Sequence, residues 1–432
     1  VAADSIILSW GPGETRIALL LDGHPVEFRI LREGQAYGGI WRGRVVGVNR
    51  ALGAAFVDIG LARPGFLPAK ALHEGQSVLV QATADPRPGK GAKLGTEISL
   101  PGRYAVYLPQ GSGLFLSKRL DPERRERLER LGWSLLRPDE GAILRHAAAG
   151  VPEEKVAAEL AALRALWQAS GAASDAAPRC LIPPDPVAAL LADNPGVDMI
   201  QADDAALVAR LRAAHPDIAL GQGDVFARHG LDEALEEALA PEVPMEGGGS
   251  IAIESTRALT AIDVDSGAAM PARANEAAVS QVARQLRLRG IGGQIMVDFV
   301  SDKRRESASR LAAQLRQAVA ADPNPTHILG ATALGLVEMT RERRHAGLAE
   351  MMLDPAASRV SAETMALAAL KLALRETAAT GRSCAIACAP EVARALDALS
   401  GPRAEAETRL GQKLALRPDP ARSREAIDAV PL

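Results

Sequence analysis

The chain has 432 residues, of which 47% are apolar and only 3% aromatic, a length and composition that suit a globular protein of two or three domains. A net charge of −3 excludes bulk cationic attraction as the means of holding a polyanion, so any such contact must come from local basic clusters. No apolar run reaches the roughly 18 residues of a membrane-spanning helix, and Cys180, Cys384 and Cys388 form no disulfide framework.

Residues 5–32 alternate as short β segments with turn signals at Gly11-Pro-Gly and Asp22-Gly-His, which predicts a meander. A different block follows at 37–108, with Gly39-Ile-Trp-Arg-Gly-Arg-Val-Val-Gly-Val, Ala54-Ala-Phe-Val-Asp-Ile-Gly, Gly65-Phe-Leu-Pro and Gln76-Ser-Val-Leu-Val-Gln-Ala. Short strands in this density suggest a small closed barrel of the OB type. Phe56 and Phe66 sit in these strands, either as barrel core or as exposed rings on which bases stack. Helices are predicted over 121–132 and 152–170, with a strand at Gly141-Ala-Ile-Leu-Arg-His between them. An Ala- and Pro-rich linker is expected from about 171 to 186, then a mix of short elements to 245 that breaks at Gly247-Gly-Gly. Basic residues cluster at Arg87, Lys90 and Lys93, in the run Lys118, Arg119, Arg124, Arg125, Arg127 and Arg130, and at Arg341, Arg343 and Arg344. Each run is either a solvated helix face or a phosphate contact.

After the break, Ser250-Ile-Ala-Ile-Glu and Ala258-Leu-Thr-Ala-Ile-Asp-Val-Asp read as strands. Residues 274–289 read as a helix with Ala278, Val279, Val282, Ala283 and Leu286 on one face and Arg284, Arg287 and Arg289 elsewhere, closed by Gly290. The strand Gln294-Ile-Met-Val-Asp-Phe-Val follows, then a helix at about 303–321 and a strand around Gly335-Leu-Val-Glu-Met. A strand–helix–strand crossover makes its two strands parallel neighbours. Asp263 and Asp298 each interrupt an apolar run near the C-terminal end of such a strand, the edge where open α/β sheets place their ligands. Two carboxylates there either share a hard divalent cation or cap helices and pair with arginines. Asp265 and Ser266 add oxygen atoms close by, as ligands or as turn residues.

At these residues the sequence resembles the ribonuclease E/G family. The segments that carry the likeness are Gly248-Gly-Ser-Ile-Ala-Ile-Glu-Ser-Thr-Arg-Ala-Leu-Thr-Ala-Ile-Asp-Val-Asp-Ser-Gly, Ala283-Arg-Gln-Leu-Arg-Leu-Arg-Gly-Ile-Gly-Gly-Gln-Ile-Met-Val-Asp-Phe and Gly335-Leu-Val-Glu-Met-Thr-Arg-Glu-Arg. The barrel segments and Ile98-Ser-Leu-Pro-Gly-Arg-Tyr extend it over roughly residues 5–350. The resemblance implies an α/β multidomain protein: a ribonuclease-H-like part (1–36 and 171–245) interrupted by an OB-type RNA-binding barrel (37–108) and a 5′-end-sensing-like region (109–170). A DNase-I-like α/β catalytic domain (246–350) and a small C-terminal helical or α+β region (351–432) would follow.

What the resemblance implies for function is a Mg-dependent endoribonuclease acting on single-stranded RNA in ribosomal RNA processing and mRNA decay. Asp263 and Asp298 fall on the family's metal-binding positions, and Asp265 stands where the family has an Asn that orients the reacting group. Phe56 and Phe66 fall on its base-stacking positions. Lys93, Arg341 and Arg343 are further RNA-binding candidates, and Arg145, His146 and Leu116-Ser117 fall on the pocket for a 5′-monophosphate. His146 departs from the family's Thr, and the loop from Ser266 to Asn275 is shorter than usual. The family's Cys-Pro-x-Cys zinc link is missing after Glu350, and Cys384-Ala-Ile-Ala-Cys has the wrong spacing to replace it. No zinc is therefore expected, and any homodimer would form without that link. The chain resembles the short, ribonuclease G-like form, expected in the cytoplasm and away from membranes. The alternative is a family member that binds RNA with weakened or lost catalysis. A DNA nuclease or phosphatase built on the same pair is the third reading.

Overall fold

The computed structural model describes every residue except 1–2, 70, 88, 119, 173–175, 301–304 and 356–358, so Arg119 of the basic run lies outside the described residues. The N-terminal strands β1 (Ser5–Gly11), β2 (Glu14–Leu21) and β3 (His24–Arg32) form the expected antiparallel meander. Asp22 and Gly23 turn the second hairpin, both with positive φ, the geometry that a two-residue hairpin loop requires.

The chain then leaves this sheet. Strands β4 (Ile40–Asn49), β5 (Ala54–Asp58), β6 (Gly65–Pro68), β7 (Ser77–Ala84) and β8 (Lys93–Gly95) pair in the order β4-β5-β6-β8-β7, and β7 pairs back onto β4 to close an OB-like barrel. Trp41, Val45, Val57, Leu67, Val80 and Leu94 fill its interior. Beyond it lies a second small sheet of β9 (Leu100–Pro101), β10 (Ala105–Leu108), β11 (Gly113–Leu116) and β12 (Gly141–Leu144). Helices α1 (Pro122–Leu135) and α2 (Glu153–Ala169) pack on this sheet through Leu128, Val156 and Leu160. Asp121 starts α1 by accepting a hydrogen bond from the Arg124 amide, with Pro122 in the first turn.

The stretch expected as a bare linker contains a strand, β13 (Arg179–Ile182), which adds to the barrel at β4. Helix α3 (Pro186–Asp193) then brings the chain back to its first sheet, where β14 (Met199–Ala202) pairs parallel with β1, followed by α4 (Ala205–Leu211) and β15 (Ile218–Leu220). The completed order is β15-β14-β1-β2-β3. Short helices α5 (Val225–Arg228) and α6 (Leu231–Glu237) cover the face opposite α3.

A further sheet holds β16 (Glu242–Pro244), β17 (Ser250–Ser255), β18 (Thr260–Asp265), β19 (Gly293–Asp298), β20 (Thr326–Ala331) and β21 (Val337–Arg341), in the order β16-β17-β18-β19-β21-β20. Helices α7 (Pro271–Leu288) and α8 (Arg305–Ala318) both pack on one face. Ala278, Val282, Leu286, Leu311 and Leu315 meet Ile251, Ile262, Ile295, Val297 and Met339 in a single core. The other face carries no helix of this core. Gly290, with φ +65°, ends α7 where the sequence places its cap.

Helix α9 (Leu348–Met352) leads to a C-terminal unit of α10 (Ala362–Thr380), β22 (Cys384–Cys388), α11 (Pro390–Ala398), α12 (Ser400–Leu410), β23 (Ala415–Pro418) and β24 (Asp428–Pro431). Cys384 and Cys388 lie buried in its central strand. No helix among the described residues is long and apolar enough to cross a membrane.

Candidate functional site

The α7 crossover makes β18 and β19 parallel neighbours, and their register sets Ile262 beside Val297 and Asp263 beside Asp298. Adjacent strands lie about 4.8 Å apart. Pleating sends Ile262, Val264, Ile295 and Val297 into the helix-covered core, so Asp263, Asp265 and Asp298 face the open side and are exposed. No described residue hydrogen-bonds the Asp263 or Asp298 carboxylate. Asp265 is committed in part to a turn, its Oδ1 accepting from the Gly267 amide at 2.8 Å.

Two exposed carboxylates side by side, without a hydrogen-bond partner among the described residues, offer an opening to a hard divalent cation that keeps water and phosphate oxygens in its shell. Among the described residues no three His, Cys, Asp or Glu side chains gather into a group able to hold a metal alone. The donor set therefore fits an ion bound jointly by protein and substrate better than a closed structural site. Gly249 explains the glycine run before β17. Its φ is +80°, and a Cβ there would fall 2.2 Å from the Asp265 carbonyl oxygen. Asn275 in α7 clasps the backbone just past Asp298, donating to Val300 O at 3.0 Å and accepting from Val300 N at 2.9 Å. Helical position alone gave no hint of this role.

The predicted arginines divide. Arg341 is a correction: it projects to the helix-covered side, is 6% exposed, and is held by Asp322 through Nε at 2.9 Å and by the Ile291 carbonyl through Nη1 at 2.7 Å. It cannot reach the open face. Arg343 is half-buried and paired with Glu350. Arg287 and Arg289, read as lying off the apolar face of α7, are buried as well. Arg287 donates to Asn194 Oδ1 at 2.7 Å and faces Glu27, while Arg289 donates to Gln285 and to the Ala240 carbonyl. Burial, reinforced by nearby Arg284, pushes the Arg289 guanidinium down to about 10.

On the barrel, Phe56 and Phe66 are directly opposed across β5 and β6, ring centroids 6.1 Å apart and edge to face. Phe56 is 39% exposed and Phe66 half-buried, so neither ring belongs to the barrel core. Lys93 is exposed and in register with Phe66 on the next strand. The three side chains thus form a stripe crossing three strands on the outside of the barrel.

Comparison with known proteins decides what these elements belong to. Residues 99–344 match the Ribonuclease E/G family. Ribonuclease G of Escherichia coli (strain K12) is 30% identical over 81% of this chain and 82% of its own. Ribonuclease G of Haemophilus influenzae is also 30% identical, over 82% of each chain. The chain belongs to the Ribonuclease E/G family. Ribonuclease E of Nostoc sp. is 35% identical over 73% of this chain and 52% of its own length.

The remaining predicted residues of this family member lie on the small second sheet. β11 and β12 run parallel, with Leu116 beside Leu144, and the Ser117 amide donates to Leu144 O at 3.0 Å, which brings Ser117 next to Arg145. Arg145 Nη1 donates to Ala192 O at 2.7 Å while its buried Nε has no partner, and burial lowers its pKa. His146 is exposed at the start of a short 3-10 turn.

Sequence reasoning missed a polar junction at the centre of the chain. Glu27 and Arg29 from β3, Arg287 from α7, Asp193 at the end of α3, and Arg344 and His345 after β21 line a cavity of about 40 Å³, and Asp85, directly after barrel strand β7, joins them through His345. Burial opposes charge on Glu27, but Arg29, Arg287 and Arg341 outweigh it and hold the carboxyl below its usual range. His345 is lowered as well, but by burial first and nearby Arg29 second, although Nδ1 lies 2.8 Å from Asp85 Oδ2. The junction ties the first sheet, the barrel and the Asp263–Asp298 sheet together.

Proposed function

We propose that this chain is an endoribonuclease that cuts single-stranded RNA at a Mg ion held by Asp263 and Asp298, leaving 5′-phosphate and 3′-hydroxyl ends, in ribosomal RNA processing and mRNA decay. Membership of the family gives the reaction class. The observation that carries the rest is the register match of the two carboxylates, exposed at the C-terminal ends of two parallel strands. In this reading α7 packs beneath both strands and fixes their spacing, and Asn275 keeps the backbone after Asp298 in place. Asp265 sets the shape of the turn beside the pair. A bound divalent ion would supply charge neutralisation of the phosphodiester and a lowered pKa for water. Phe56 and Phe66 would stack successive bases, with Lys93 against a phosphate. Arg145, with His146 and Ser117 beside it, is the candidate receiver of a 5′-phosphate.

The sheet order β15-β14-β1-β2-β3, broken by the excursion through the barrel, supports the ribonuclease-H-like assignment of 1–36 and 171–245. The one-sided α/β sheet supports the DNase-I-like assignment of 246–350.

The test is cleavage of a fluorescent, 5′-monophosphorylated single-stranded RNA with and without Mg. The parent should cut only with the metal. Asp298→Asn and Asp263→Asn should bind the RNA as the parent does and lose at least about a hundredfold in rate. If parent and variants bind alike and none cuts, the protein is an RNA-binding member without catalysis. If Asp298→Asn cuts as fast as the parent, the metal pair is wrong.

A further inference from the structure

The Asp263–Asp298 sheet has an electrostatic problem with RNA. Its open face presents Glu254, Asp263, Asp265, Asp298 and Glu338, and its strands carry no Lys or Arg apart from the buried Arg341. A cation between Asp263 and Asp298 would neutralise the phosphate at that point, but phosphates one nucleotide away would meet carboxylates. On this face, groups that contact bases would hold the nucleotides flanking the cut without working against its carboxylates.

The loops at that edge carry such groups. The loop 266–270 follows β18 directly after Asp265, and its last residue, Met270, is 71% exposed at the start of α7. The turn between β20 and β21 reaches the same edge from the other side, because β21 runs antiparallel to β19 and Val297 is matched with Val337. That turn is closed by a hydrogen bond from Thr332 N to Leu336 O at 2.7 Å and presents Leu334, which is 88% exposed. Two unbranched or γ-branched apolar side chains thus stand almost fully in water on either side of the carboxylate pair, one beyond β18 and one beyond β19 and β21. Neither packs in the sheet's core.

We propose that Met270 and Leu334 clamp the bases on the two sides of the scissile phosphodiester, Met270 on the Asp263 side and Leu334 on the Asp298 side. The clamp rests on the reading of Asp263 and Asp298 as the cutting site. It deepens that reading by assigning residues that choose substrates with unpaired, accessible bases there. A duplex would hide its base faces from both side chains, so the clamp also selects single strands at the point of cutting, independently of the barrel.

The experiment uses the full chain, a fluorescent 5′-monophosphorylated RNA whose cut site has been mapped, and the same RNA with abasic ribose on both sides of that site. With Mg, Met270→Ala with Leu334→Ala should lower kcat/KM about tenfold on the intact RNA, each side chain contributing several-fold through half-covered apolar area. On the abasic RNA the double variant and the parent should cut equally, both at the reduced rate. Equal loss on both substrates, or no loss on either, overturns the clamp. Anisotropy of the two RNAs on Asp298→Asn, with and without the two alanines, reads the same coupling without cutting. A parent that cuts neither RNA defeats the metal-pair reading instead. In that case a clamp that is still base-dependent by anisotropy stands as a binding feature, and one that is not is overturned too.

Discussion

Replacing Arg341 by Met separates a structural arginine from an RNA-binding one. The guanidinium makes three hydrogen bonds, to Asp322 Oδ2 at 2.9 Å, to Asp322 Oδ1 at 3.2 Å and to Ile291 O at 2.7 Å. The two side chains are only 5% and 6% exposed. In Arg341→Met the Asp322 carboxylate stays buried with a single remaining donor, the Asn324 amide at 2.9 Å. Breaking a buried pair from one side costs about 3–5 kcal/mol, a large share of the roughly 5–15 kcal/mol that holds a domain folded. With a urea dependence of about 3 kcal/mol per molar, the midpoint should fall by about 1 M or more. All four tryptophans precede residue 242, so their fluorescence is blind to this sheet and the transition is followed by circular dichroism or hydrogen exchange. Adding Asp322→Leu should recover most of the loss, because no unpaired charge then remains buried. An Arg341→Met protein that unfolds where the parent does, yet has lost RNA affinity, would return Arg341 to the substrate.

Phe56→Ala with Phe66→Ala should weaken single-stranded RNA binding by at least about tenfold, since each stacked base contributes roughly 1–3 kcal/mol, while circular dichroism stays unchanged. Lys93→Ala should reduce the slope of log affinity against log salt by about 0.7, the signature of a single lost phosphate contact on a single strand. Lys371 on α10 reaches Ser9 and lies 3.8 Å from Asp203, and burial pushes its ammonium down to about 8 from 10.5. Between those values the folded chain binds fewer protons than the unfolded one, so the docking of the C-terminal unit should tighten as pH rises from about 8 towards 10.5. Slower proteolysis between α9 and α10 at pH 9.5 than at pH 7.5 is the expected result, and Lys371→Met should abolish the difference.

The parts that were legible in the sequence are those written in local pattern. The apolar runs ending at Asp263 and Asp298, the amphipathic α7 between them and Gly290 at its end are enough to predict a parallel pair with both acids at one edge. The barrel is legible for the same reason. The pattern could not supply the register that sets the two acids side by side, because register depends on how α7 packs. Nor could it tell Arg341, Arg287 and Arg289 from surface arginines. The partners of Arg341 and Arg287 are remote in sequence, Asp322 at 19 residues and Glu27 at 260, and an arginine without a visible partner reads as solvated. Strand β13 was hidden in a linker because the strand it pairs with, β4, lies more than a hundred residues earlier.

A net charge near zero and an acidic cutting face together imply a division of labour within the chain. In the proposed reading, the sheet that carries the carboxylates would repel RNA away from a bound cation, while the stripe of Phe56, Phe66 and Lys93 would attract it through stacking and one charge. Affinity and cutting are then separable in two directions. Salt should weaken binding through the barrel without changing the rate of the bound complex, and removal of the divalent ion should stop cutting while leaving most of the affinity. The junction of Glu27, Arg29, Arg287, Asp85 and His345 makes this division workable, because it links the surface that holds the strand to the sheet that would cut it. A protein built the other way, with its cations around the carboxylates, would hold phosphates there without needing the metal and would lose the dependence on unpaired bases.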